Sequence, residues 1–65
     1  MECMLTLIAR SGFEVTVKAC TAVQLEDALY AHGFTQGSSF VARHAFRMKP
    51  GQDLESTGVK IRRVS

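Results

Sequence analysis

The side chains with the most chemical capacity in this chain are Cys3, Cys20, His32 and His44. All four can ligate zinc, and all can serve in nucleophilic chemistry. Their spacing argues against both uses. Structural zinc sites gather ligands in close pairs, such as cysteines about two to four residues apart, whereas each candidate stands alone here. Cys20 falls just before an expected helix, where the helix dipole favours a thiolate. A nucleophile also needs a positioned base and an oxyanion site. The available base, His32, falls at the far end of that helix, about 15 Å away at a rise of about 1.5 Å per residue. Glu26 and Asp27 are adjacent, so a helix splays them apart instead of pairing them as acid and base. The glycines at 33, 37, 51 and 58 do not space into a phosphate-binding loop. The expectation is a protein with no catalytic residue, no cofactor and no metal, which acts by binding.

Such a protein must present a surface, and the chain is small for that task. With 65 residues, 46% hydrophobic and 22% charged, one compact domain over residues 1–65 is expected. A core of that size is only marginally sufficient, which makes a homodimer a natural expectation. No apolar run approaches a membrane span. Glu2 and Arg10 interrupt what a signal peptide would need, and two scattered cysteines do not make a secreted scaffold. A soluble, cytoplasmic protein with no membrane partner is expected. Charge is divided unevenly: residues 1–42 carry net −2, and residues 43–65 carry net +4.

The elements that would position this surface follow from periodicity. Met4 to Ala9 is nearly all apolar, and Phe13 to Lys18 alternates, which predicts a hairpin. A two-residue turn at Ser11-Gly12 would send Leu5 and Leu7 to the face of Lys18 and Thr16. A three-residue loop with left-handed Gly12 pairs Ala9 with Phe13 and sets Leu5, Leu7, Val15 and Val17 on one face, so the second register is expected. It keeps Cys3 and Cys20 from bridging. Thr21 and Gln24 form a capping box for a helix with the stripe Ala22, Leu25, Ala28, Leu29 and His32, stopped by Gly33. Phe40 to Arg47 alternates again, which reads as a third strand with Phe40, Ala42, His44 and Phe46 inward. Lys49 to Gly58 reads as a loop, and Val59 to Val64 as a last strand.

The predicted fold class is α+β: a ββαββ domain with a four-stranded, mostly antiparallel sheet and one helix on one face. Pairing the first and last strands in parallel at the centre would make it β-grasp-like, a topological resemblance only. Two surfaces could then take a partner. The outer sheet face would collect Arg43, Arg47, Lys60 and Arg62 with an apolar patch that includes Ile8 and Val41. The outer helix face would present Tyr30 beside Val23, Glu26 and Asp27. A small protein-binding module is expected, an inhibitor, adaptor or accessory protein of the size that phages and mobile elements encode. The alternative is a nucleic-acid-binding domain using the basic sheet face, although every phenylalanine needed for base stacking is expected in or beside the core.

Overall fold

A computed structural model describes residues 2–35, 37–56 and 58–65. The chain forms β1 (Cys3–Ala9), β2 (Glu14–Ala19), α1 (Ala22–Ala31), α2 (Ser38–Arg47), β3 (Asp53–Ser56) and β4 (Val59–Arg63). The fold class is α+β as expected, with a four-stranded antiparallel sheet in the order β2-β1-β4-β3. The helices cover one face of it.

The first hairpin takes the expected register. Gly12 sits at φ 95°, the Ala9 N–H donates to the Phe13 carbonyl at 2.8 Å, and Gly12 donates to Ala9 at 3.0 Å. Leu5 therefore lies opposite Val17, and Leu7 opposite Val15. Of the expected capping box at the start of α1, the Thr21 half is formed, while Gln24 reaches one residue before the cap. Thr21 Oγ1 accepts from the Gln24 N–H at 3.2 Å, and Gln24 Oε1 accepts from the Cys20 N–H at 2.7 Å. Both cysteines are free, Cys3 buried and Cys20 exposed.

The segment read as a third strand is instead the helix α2. Its sequence is rich in alanine and arginine, strong helix formers, and as a helix it buries Ser38, Val41, Ala42 and Ala45 together. As a strand it would have turned His44 into the core. The fourth strand comes from the stretch read as a loop: β3 lies within residues 49–58, where Leu54 pairs opposite Ile61. Its only inward apolar side chain is Leu54, so its signal is short and weak.

The extra helix also reverses the sheet centre. β1 and β4 are neighbours as expected, yet antiparallel. One helix after β2 would return the chain for a parallel entry. Two helices return it to the opposite end, so β4 runs against β1.

The core is the inner sheet face (Leu5, Leu7, Ala19, Val59, Ile61) packed on Leu25 and Leu29 of α1 and Val41, Ala42 and Ala45 of α2. Phenylalanine placement departs from expectation. Phe40 is 70% exposed and Phe13 54%, while Phe46 and Phe34 pack at the core margin. Arg63 ties sheet to helix: its guanidinium donates to the carbonyls of Phe46 and Met48 at the end of α2 and to Cys3 Sγ, and lies over the Phe46 ring.

Candidate protein-docking face

The outer sheet face holds Met4, Thr6 and Ile8 of β1, Glu14, Thr16 and Lys18 of β2, Asp53 and Glu55 of β3, and Lys60 and Arg62 of β4. Of the residues expected to form a docking patch there, Ile8, Lys60 and Arg62 are in place. Val41 is buried on the inner side of α2, and Arg43 and Arg47 project from the outer side of that helix. The basic patch therefore comes apart. Helix formation moves two arginines to the far side of the molecule, and β3 brings Asp53 and Glu55 onto the face they left.

What remains on the sheet is a balanced ionic lattice. Arg62 donates to both carboxylate oxygens of Asp53, at 3.0 and 3.2 Å, and Lys60 Nζ lies 3.4 Å from Asp53. The Arg62 hydrogen bond is the largest influence holding the Asp53 carboxyl below the ordinary value of 3.8; desolvation opposes it, and Lys60 adds to it. A depressed folded pKa stabilises the protein above the ordinary value, and that contribution is lost as pH falls through the folded value. Asp53→Asn should therefore lower the thermal midpoint slightly at neutral pH, the pair being exposed. The two melting curves should converge in strong acid. A difference constant across that pH series would show that the ion pair is not its source.

The helical layer presents a different surface. Leu25 and Leu29 turn α1 toward the sheet, which leaves Val23, Asp27 and Tyr30 outward. Phe40, Arg43, His44 and Arg47 line the outer side of α2 at helical spacing. A shallow groove of about 350 Å³ runs between the helices, lined by Glu26, Tyr30, Thr35, Ser39, Phe40 and Arg43. Tyr30 is 52% exposed at its rim. The Phe40 and His44 rings are 4.4 Å apart between centroids, which keeps Phe40 propped beside the groove.

Tyr30 lies on the helix face where the sequence placed it. Phe40 was not anticipated as a surface residue. The signal existed: Phe40, Arg43, His44 and Arg47 follow the i, i+3, i+4, i+7 spacing of one helix face. It competed with an equally regular alternation.

The four residues with metal or nucleophile chemistry stay apart. Cys3 lies under Arg63, Cys20 at the exposed β2–α1 junction, His32 near Phe13 and His44 beside Phe40. Among the described residues, no three His, Cys, Asp or Glu side chains are grouped to hold a metal ion, and no helix is long and apolar enough to cross a membrane. No protein-family model, curated protein or solved structure matches the chain.

Proposed function

We propose that this chain is a non-enzymatic protein-binding module, an inhibitor, adaptor or accessory protein that occupies a partner's surface with its helical layer. Phe40 and Tyr30 are the apolar anchors, and Arg43 and Arg47 the polar rim. The observation that carries this reading is a phenylalanine in the first turn of α2 left 70% exposed beside a half-exposed tyrosine. Fully burying such a side chain contributes roughly 1.5–3 kcal/mol, and aromatic and arginine side chains dominate the energetics of protein interfaces. The sheet face, with three acidic and three basic side chains interleaved on the strands, is better suited to water.

The experiment is capture on the immobilised chain with nuclease present, followed by direct binding measurements on the recovered protein. Phe40→Ala and Tyr30→Ala should each weaken binding roughly 10- to 100-fold with little change in thermal midpoint. Affinity untouched by both substitutions would overturn the assignment of this face.

Nucleic-acid binding remains the second reading, because the α2 stripe joins Arg43 and Arg47 to an exposed aromatic ring. Glu26, which lines the groove beside Phe40 and Arg43, weighs against a polyphosphate. A steep salt dependence, reduced by about one unit of slope per arginine removed, would favour that reading.

A further inference from the structure

The two edges of the sheet are unequal. β3 is four residues long. β2 is six residues, with no proline, no bulge against β1, and neutral Val15 and Val17 half-buried on its inner side. Hydrogen-bonded and non-bonded pairs alternate along antiparallel strands. The bond from Ala9 to the Phe13 carbonyl sets that alternation, so Val15, Val17 and Ala19 turn their peptide groups toward β1. The bond from Val64 to the Met4 carbonyl agrees, because it shows the peptide groups of the intervening β1 residues turned to the other side. Glu14, Thr16 and Lys18 therefore direct theirs off the edge of the sheet. Long regular edges with free peptide groups are templates for another strand.

We propose that the strand seated there is β2 of a second copy of this chain, antiparallel about a two-fold axis at Thr16. In that register, Glu14 of each copy lies opposite Lys18 of the other, and Val15 opposite Val17. All three outward residues of each strand then exchange backbone hydrogen bonds. The next register in either direction sets one charged residue against Thr16, and the one beyond sets Glu14 against Glu14 or Lys18 against Lys18. Opposite charges facing across strands are favourable, and like charges are not. Only the Thr16-centred register satisfies both charges and overlaps the whole edge.

Two further features suit this arrangement. Phe13, 54% exposed at the end of the inner face, comes opposite Ala19 of the second copy. The flank of α1 away from α2 carries Gln24, Ala28 and Ala31, and the small alanines let the two α1 helices approach across the axis. Pairing identical edges closes at two copies. The other edge is protected from the same fate. Arg63 donates to the Gln52 carbonyl at 2.9 Å, so Asp53 and Glu55 turn their peptide groups outward and would set acid against acid in a β3–β3 pair.

The dimer goes beyond the helix-face reading and is tested separately from it, by sedimentation velocity on the full chain from low micromolar to near-millimolar concentration. The apparent mass should double across that range. Glu14→Lys and Lys18→Glu should each weaken association by at least about tenfold, because each sets like charges together twice. The double variant, with the charges exchanged, should recover it. Thr16→Pro removes an N–H that the isolated chain does not use, and should leave a folded monomer by circular dichroism. A wild-type chain that stays monomeric to the highest concentration overturns the proposal. So does a dimer whose affinity is unchanged by either single charge reversal.

Discussion

Leu25→Ala should strongly destabilise the protein while leaving a measurable unfolding transition. Leu25 is fully buried, midway along α1 and facing the sheet. Removing its isobutyl group forfeits the transfer energy and opens a cavity that Leu29, Val41 and the strands beneath can only partly fill. Such changes cost about 2–5 kcal/mol. A chain of this length has on the order of 3–10 kcal/mol of total stability, so the loss consumes a large share of it. Urea titration followed by circular dichroism should show a midpoint shifted far to the left with an unchanged slope. A midpoint within error of wild type would mean that α1 does not face the sheet through Leu25.

Arg63→Ala should cost nearly as much, by a different route. Arg63 is half-buried on the inner side of β4, and its Nη1 donates to both the Phe46 and Met48 carbonyls, with the Phe46 ring beneath the guanidinium. The carbonyls at a helix end have no partner within the helix. A guanidinium there satisfies them and complements the negative end of the dipole. Charged hydrogen bonds of this kind contribute about 1.5–3 kcal/mol, so the combined loss should be about 2–4 kcal/mol. Arg63→Lys should recover only a minor part, because an ammonium has neither the planar face that lies over the Phe46 ring nor the second nitrogen that reaches Cys3 Sγ. Hydrogen exchange should locate the damage in the last turn of α2. Full rescue by lysine would reduce Arg63 to a point charge.

Arg63 also shows what local reading misses. In the sequence it is one of six basic residues in the C-terminal third, indistinguishable from Arg62 beside it. Strand parity separates them: Arg62 faces the solvated lattice with Asp53, and Arg63 faces inward beneath the end of α2. That end exists only because residues 38–47 are helical.

The first hairpin, the start and stop of α1, and the inward face of Val59 and Ile61 were legible in the residues alone. Each rests on neighbours close in sequence. A one-residue slip in the hairpin would expose two leucines, and Thr21 reaches Gln24 within a single turn. The Ser38–Arg47 segment satisfies two periods at once. Phe40, Ala42, His44 and Phe46 alternate as in a strand, while Ser38, Val41, Ala42 and Ala45 recur as on a helix. Nothing local decides between them. What decides is the floor of Leu5, Leu7 and Ile61 together with the flank of α1, which a helix covers with Val41, Ala42 and Ala45. The same choice leaves the sheet short of a strand, and β3 completes it from a stretch with one inward apolar residue. The docking face followed these decisions, because the period that wins determines which side of the molecule receives Phe40, Arg43 and Arg47.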